Sequence, residues 1–387
     1  MDFTFTEEQQ AVSEAAAGVF GGQATTERVA EVERGAERCD DALWSELARA
    51  NLLGLAIPEA DGGSGFGLTE VCLVLEQQGR RVAPVPLWAT VVLGALPVAE
   101  FGTDEQRRRW LPGVVAGDLR LSAALTEVAT SVEARPSVRA EPDGDGWRLT
   151  GTCFAVPQAH LAAAVLVPAL SDDGTVVAVV DPSGPGAALE RAVTTDHQVH
   201  PHLHLDAYPV AADEVLVGPE GGARAVGWML ERALVGLCAL QLGVTEEALR
   251  ITAAYLNQRQ QFGRPLSAFQ GTMLKAADAY IDSEAIRVTL WQAAWRLDTG
   301  RPAAEAVAVA KWWASEAGQR VVHATQHLHG GMGADIEYPI HRYFLWGKQI
   351  ELMLEAPSAQ LARLGDLVAA ELGRPLVGRS PSEGSGR

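Results

Sequence analysis

The stretch Arg259-Gln260-Gln261-Phe262-Gly263-Arg264-Pro265-Leu266-Ser267-Ala268-Phe269-Gln270 interrupts two long helical patterns. Before it, Val226, Met229, Leu230, Ala233, Leu234, Leu237, Leu240 and Val244 mark one apolar helix face. After it, the segments 267–297, 302–329 and 338–372 behave in the same way, each longer than a typical helix and without coiled-coil charge patterning. Four such helices fit a bundle. Arg259 is expected to end the first of them and Gly263 to release the chain into a turn. An Arg in that place can offer a forked donor to a phosphate. It can equally be a favourable cation at a helix C-terminus, followed by a Gly-Pro exit. On the residues alone the helix-terminus reading is preferred.

Upstream of the bundle the periodicity changes. From about 118 to 216 the chain reads as strands: Asp143-Gly144 and Asp145-Gly146 are turn dipeptides, followed by the alternating Trp147-Arg148-Leu149-Thr150. Ala163 to Val167 and Val176 to Val180 are short, apolar and Val-rich, with Asp172-Asp173-Gly174 as a turn between them. Further upstream the pattern is helical again. Thr6-Glu7-Glu8-Gln9 reads as a capping box, Trp44, Leu47, Ala48 and Leu52 recur at helical spacing, and Thr103-Asp104-Glu105-Gln106 is a second helix start. Between them Pro58-Glu59 and Gly62, Gly63, Gly65 and Gly67 predict a loop. The expected fold is α+β and multidomain: an N-terminal helical domain over 1–117, a β-barrel-like middle domain over 118–216, a four-helix bundle over 217–375, and a frayed tail over 376–387.

Three further places carry polar chemistry. In His327-Leu328-His329-Gly330-Gly331-Met332-Gly333, closely spaced glycines permit close backbone approach to a ligand, and their amides can bind an anion. A plain helix-terminating turn explains the same residues. His323 and His327 share a helix face, but no carboxylate or Cys completes a ligand set nearby, so no metal is expected. His200, His202 and His204 would share one strand face, which a half-polar exposed surface also explains.

The chain has 387 residues, 48% hydrophobic and 21% charged, with a net charge of −18. The apolar content excludes a disordered chain, and the acidic balance argues against a nucleic-acid binder. Cys39, Cys72, Cys153 and Cys238 lie far apart, which indicates neither a disulfide framework nor a zinc cluster. The acidic start, MDFTFTEEQQ, has no signal-peptide core, and no apolar run reaches the roughly 18 residues of a membrane span. A cytoplasmic protein without a membrane partner is the expectation.

Taken together, the opening "MDF…TEEQQ", the loop "PEADGGSG", "FGTDEQRRRWLPGVVAGD", "RQQFGRPLSAFQ" and "HLHGGMGADIEYP" resemble the acyl-CoA dehydrogenase family over nearly the whole chain. The resemblance implies FAD, held between the β domain of one subunit and the C-terminal helices of its neighbour. It implies α,β-dehydrogenation of an acyl-CoA thioester, with a Glu removing the α-proton and the flavin accepting the hydride. Electron-transfer flavoprotein is the usual acceptor in the family. Arg259, Gln261 and Phe262 match the family's Arg-x-x-Phe-Gly stretch, which reaches the FAD pyrophosphate and adenosine, and Gln270 matches its following Gln. His327, Gly330 and Gly331 match the Gln-x-x-Gly-Gly stretch, with His in place of Gln.

The middle domain departs from the family. After Leu125-Thr126-Glu127 the chain runs Val128-Ala129-Thr130-Ser131, without the Pro and Gly of the family's flavin turn. In Gly151-Thr152-Cys153-Phe154-Ala155-Val156-Pro157, Ala and Pro stand where two isoalloxazine contacts belong. For the base, Glu355 resembles one family position but falls one residue late. Glu231 resembles the other but sits two residues early, about 200° of helix rotation. This split resembles one chain of the α2β2 acyl-CoA dehydrogenases of bacterial steroid side-chain degradation, whose paralogous partner supplies the flavin turn and the base. The alternatives are a self-sufficient homotetramer with Glu355 as base, and a non-catalytic assembly subunit.

Overall fold

Side-chain caps set the first helices. In the computed structural model, which describes residues 4–127 and 136–373, Thr6 accepts the Gln9 amide at 3.2 Å while the Gln9 side chain accepts the Thr6 amide at 3.1 Å. That reciprocal cap opens α1 (Glu7–Gln23). There follow α2 (Thr26–Arg34), α3 (Asp41–Arg49) and α4 (Leu68–Arg81), then a wholly buried π-helical stretch, Trp88–Ala95, that runs into α5 (Leu96–Phe101). The expected Thr103–Gln106 box opens α6 (Asp104–Ala116). Leu52 lies beyond the end of α3, so it packs from the loop rather than from the helix.

The strands form one mixed sheet. They are β1 (Leu121–Ala123), β2 (Arg139–Asp143), β3 (Gly146–Cys153), β4 (Ala164–Ser171), β5 (Gly174–Val180), β6 (Ala187–Glu190), β7 (His202–Val210) and β8 (Val215–Val217). The order is β6-β7-β3-β2-β4-β5-β8, with β1 parallel to β4. Both expected turns close tight hairpins: Asp143 pairs with Gly146, and Ser171 with Gly174. The Val-rich runs have a physical reason. Ala164, Leu166, Val177 and Val179 enter the core shared with the helices, whereas Val165, Val167, Val176, Ala178 and Val180 enter a separate core inside the sheet. Strands covered on both faces read as continuous apolar runs. The segment Val128-Ala129-Thr130-Ser131 lies outside the described residues, as does the tail from 374 onward.

The C-terminal part is helical: α7 (Pro219–Gln258), the short hairpin β9 (Gln260–Gln261) and β10 (Arg264–Pro265), then α8 (Gln270–Asp298), α9 (Ala304–Leu328), α10 (Ile340–Leu352) and α11 (Pro357–Glu371). The expectation of a single helix over 338–372 is corrected here. Leu354 takes φ +64° and Pro357 starts a new helix. A proline in mid-helix lacks the amide and crowds the preceding turn, so the chain breaks before it. Helix α7 is long and apolar enough to cross a bilayer by composition, but 78% of its most apolar window is buried within the protein. It is the central core helix.

Two devices join the helical parts across the sequence. Asp298, at the end of α8, caps α4 by accepting the amides of Leu68 (2.8 Å) and Thr69 (2.9 Å). Helices α4 and α7 meet backbone to backbone: a Cβ on Gly79 would stand 2.1 Å from the Leu240 carbonyl oxygen, and one on Gly243 2.0 Å from that of Glu76. Only glycine fits at either contact.

Candidate functional site

Arg259 is the C-cap of α7, its amide bonded to the Tyr255 carbonyl at 2.8 Å. The chain then turns through Phe262 and Gly263, both at positive φ, between β9 and β10. This hairpin projects outward. Phe262 is 91% exposed, and its ring meets only the edge of Phe269, with centroids 6.2 Å apart. Arg264 lies over the other aromatic of the loop, 4.0 Å from the Phe269 centroid. Arg259 itself is exposed and makes no ion pair among the described residues, and Gln261 and Gln270 are also exposed. A bare guanidinium, a bare phenyl ring and two free carboxamides on one loop are poor surface chemistry for an isolated chain. They suit a ligand with phosphates and a flat ring.

The second motif stands against the first. His327 is exposed on the last turn of α9, and Gly330 takes φ +57°. A Cβ on either Gly330 or Gly331 would meet nothing within 4 Å, so nothing inside this chain demands glycine for space at either position. Open room above two glycine amides is what an anion from outside the chain needs. His329 is buried and links the motifs. Its ring stacks on Tyr255 at 4.6 Å and 27°, and lies 5.2 Å from that of Tyr338. Beside His327, an open groove of about 690 Å³ runs between α8 and α9, carrying Lys275, Asp278, Arg320 and His323.

Away from these motifs the described residues leave less room at a second junction. Where the N-terminal helices, the sheet and the bundle meet, Trp88, Pro157, Gln158, Gln198, His200, Trp346 and Met353 leave a cavity of about 30 Å³. That holds a water or two, whereas a small-molecule pocket is on the order of 300 Å³ or more. Polar side chains fill it from within: Gln158 donates to Gln198 at 2.8 Å, and Gln198 donates to Asp196 at 2.9 Å. Trp88 reaches across to bond the Ala233 carbonyl of α7 at 3.0 Å.

Neither candidate base faces this cavity. Glu355 is 13% exposed and bound to the first turns of α11, through Gln360 and, at 3.9 Å, Arg363. Glu231 lies on α7 beside Arg232, whose guanidinium covers the Trp228 ring at 3.6 Å. Burial pushes the Arg232 guanidinium down to about 10. The strand histidines have ordinary partners. His202 accepts the Ala155 amide at 3.0 Å, and His204 sits between Thr152 and Glu190, each at 3.0 Å. His200 is fully enclosed near Asp196, and burial holds it below the usual histidine range. Among the described residues, no group of three or more His, Cys, Asp or Glu is placed to hold a metal ion. Two residues that matter carry little signal in the sequence. Tyr255 reads there as part of a helix face, and Lys311, wholly buried in α9, reads as a surface lysine with an apolar stem.

An N-terminal helical layer, a mixed sheet and a C-terminal helical bundle, with these two exposed motifs on the bundle, make up the layout of the chain. The family model for the acyl-CoA dehydrogenase N-terminal domain matches residues 6–118, and that for the C-terminal domain matches residues 220–353. The chain belongs to the acyl-CoA dehydrogenase family, whose members are FAD-dependent oxidoreductases. It is 38% identical to acyl-CoA dehydrogenase FadE27 of Mycobacterium tuberculosis, over 94% of this chain and 98% of the relative. Among solved structures it is similar to a chain of a variant of the Tcur3481-Tcur3483 steroid ACAD, with 50% identity and a TM-score of 0.89 over 95% of this chain and 99% of that one. It is also similar to a chain of the ChsE4-ChsE5 complex from Mycobacterium tuberculosis, with 39% identity and a TM-score of 0.90 over the same shares.

Proposed function

We propose that this chain is one subunit of a paired acyl-CoA dehydrogenase, an α2β2 assembly that introduces a trans α,β double bond into the CoA thioester of a steroid side chain. The single observation that carries the reading is the mismatch between the two half-sites: open space over Arg259 and Gly330-Gly331, against a cavity of only about 30 Å³ beside Pro157, one of the positions where the family resemblance expects a flavin-ring contact. Similarity to chains of two paired complexes, one of them a steroid enzyme by name, supports both the partner and the substrate class.

In this reading the chain holds the far end of FAD. Arg259 gives forked donors to the pyrophosphate, with the Gly330 and Gly331 amides and a His327 ring nitrogen as further donors. Phe262 offers an apolar face to the adenosine, and Gln261 and Gln270 supply carboxamides to its polar edges. Bound FAD supplies the acceptor for the two electrons. The base and the donors to the thioester oxygen belong to the partner, because Glu355 is engaged with α11 and Glu231 sits away from the cavity. Electron-transfer flavoprotein is the proposed acceptor and the cytoplasm the proposed compartment.

Stoichiometry tests the reading. Co-expressed with its paralogue, the complex is expected to bind one FAD per pair of unlike chains, and this chain purified alone none. One FAD per chain in a preparation of this chain alone would overturn it in favour of the self-sufficient homotetramer. A complex whose flavin content ignored the loss of Arg259 would support the purely assembling subunit instead.

A further inference from the structure

The two nucleotide motifs are about seventy residues apart in sequence, and each sits on a flexible kind of element: a two-residue hairpin turn and a glycine turn. A cradle made of two independent turns would need ordering at each binding event, and that ordering lowers affinity. Three aromatic rings join them. Tyr255 lies one helical turn before Arg259, and its carbonyl accepts the Arg259 amide at 2.8 Å. His329 directly precedes Gly330 and stacks on Tyr255 with centroids 4.6 Å apart. Tyr338, just past the glycine turn, packs against both, at 5.2 Å from His329 and 6.3 Å from Tyr255.

The polar atoms of His329 agree with a stacking role. Nδ1 lies 2.8 Å from the Thr325 carbonyl oxygen, which can only accept, so Nδ1 carries the proton. Nε2 is then a bare acceptor, buried and without a partner among the described residues. The ring thus makes one hydrogen bond, which sets its tautomer, and otherwise contacts its neighbours through its faces and edges.

We propose that His329 is a positioning residue. Packed with Tyr255 and Tyr338 in a three-ring cluster, it fixes the Arg259 hairpin and the Gly330-Gly331 turn in one register, so that two separate segments grip one pyrophosphate. The clip rests on the reading of the nucleotide cradle given above, and it acts on the protein before any ligand arrives.

The test measures FAD affinity and FAD release, by flavin fluorescence, in the co-expressed complex and its deflavinated form. His329→Ala and Tyr255→Leu are each expected to weaken FAD binding tenfold or more and to speed its release. His329→Phe, which keeps the stacked face and drops both the unpaired nitrogen and the Nδ1 bond to Thr325, is expected to stay within about threefold of the unmodified complex. Native mass is expected to be unchanged; truncating a buried ring lowers the thermal transition as well, so affinity and release are measured well below that transition, where each variant is folded. Arg259→Ala is run beside them. If Arg259→Ala weakens binding while His329→Ala and Tyr255→Leu do not, the clip is wrong and the cradle stands. If His329→Phe loses as much as His329→Ala, stacking is not the operative contact and the clip is wrong. If Arg259→Ala itself binds FAD normally, the cradle reading falls, and the clip with it. Should His329→Ala fail to assemble, Tyr255→Leu and His329→Phe carry the decision.

Discussion

Lys311 sits at the centre of the bundle with no exposed surface, and its own contribution to stability is expected to rise with pH in an alkaline window. Nζ donates to Ser315 Oγ (2.8 Å), to the Ile350 carbonyl (2.8 Å) and to the Glu351 carbonyl (3.3 Å). Those carbonyls belong to the last turn of α10, where no helical amide reaches them, and the negative end of α10 favours a cation there. Burial nevertheless dominates and pushes the amine down from 10.5 to about 8. The neighbouring Cys238 thiol is itself pushed up to about 12 by burial, so it stays neutral and does not offset the cost. Between about pH 8 and 10.5 the unfolded chain therefore carries a proton that the folded chain has lost. A state that binds more protons is disfavoured as pH rises, so Lys311 by itself contributes about 3 kcal/mol of added stability across this window. The raised thiols of Cys39, Cys72, Cys153 and Cys238 act in the opposite sense above about pH 9 in parent and variant alike. Lys311→Met removes the titration. Near pH 7.5 its relief from the buried charge is offset by about 1–3 kcal/mol for the orphaned Ile350 carbonyl. The Glu351 carbonyl keeps its bond from Ser315 at 3.1 Å. The variant is thus expected within about 2 kcal/mol of the parent at pH 7.5, and to lose ground steadily towards pH 10. Denaturant titrations at several pH values between 7.5 and 10 read the difference. A gap between parent and variant that stays constant, or that moves in the variant's favour, would refute the buried, depressed amine.

Other perturbations have equally definite outcomes. Arg259→Ala is expected to lower the FAD affinity of the paired complex by roughly tenfold to a hundredfold, the loss of about 1.5–3 kcal/mol from a charge-assisted contact, read by flavin release. Glu355→Gln is expected to leave turnover nearly intact, because Gln360 and Arg363 already engage that carboxylate; a loss of about a thousandfold in kcat would place the base on this chain. Burial holds His200 and His329 below 6.5, so the unfolded state takes up the extra protons, and stability complete above pH 6.5 is lost as pH falls below it. The denaturation midpoint should drop between pH 6.5 and 5, and less steeply in His200→Asn. Gly243→Ala drives a Cβ to 2.0 Å from the Glu76 carbonyl and should cost about 1–3 kcal/mol or more, whereas Gly18→Ala, on the open face of α1, should gain about 0.5–1 kcal/mol in the same thermal assay.

What was legible in the residues was local or periodic. The Thr6–Gln9 and Thr103–Gln106 caps, the Asp-Gly turns and the two-sided Val strands depend on neighbours a few positions away, and each formed as expected. The break between α10 and α11 was also written locally, in Pro357, but the long apolar period on either side outweighed it. Asp298 as the cap of α4 could not be read, because donor and acceptor stand 230 residues apart. Lys311 gave no sign either. In Ala308-Val309-Ala310-Lys311-Trp312-Trp313 a lysine with an apolar stem suits a surface as well as a core, and its three acceptors come from a different turn and a different helix. At the cradle, composition showed the donors and the glycines. That the rings of Tyr255, His329 and Tyr338 join two distant segments is a property of packing alone.

The division into two hydrophobic cores sets an order of assembly on the ribosome. The core inside the sheet draws its residues from Ala124 to Val215, a contiguous piece of chain. The larger core joins residues as far apart as Val12 and Ile350. At about 5–20 residues per second of synthesis, the apolar faces of α1 and α4 emerge first, then wait while the sheet and then the bundle are made. The sheet can close during that interval, and the N-terminal helices cannot. A newly made chain therefore holds α1 and α4 packed on each other but without α7, for on the order of ten seconds or more. Its yield in the cell depends on what shields α4 until α7 arrives.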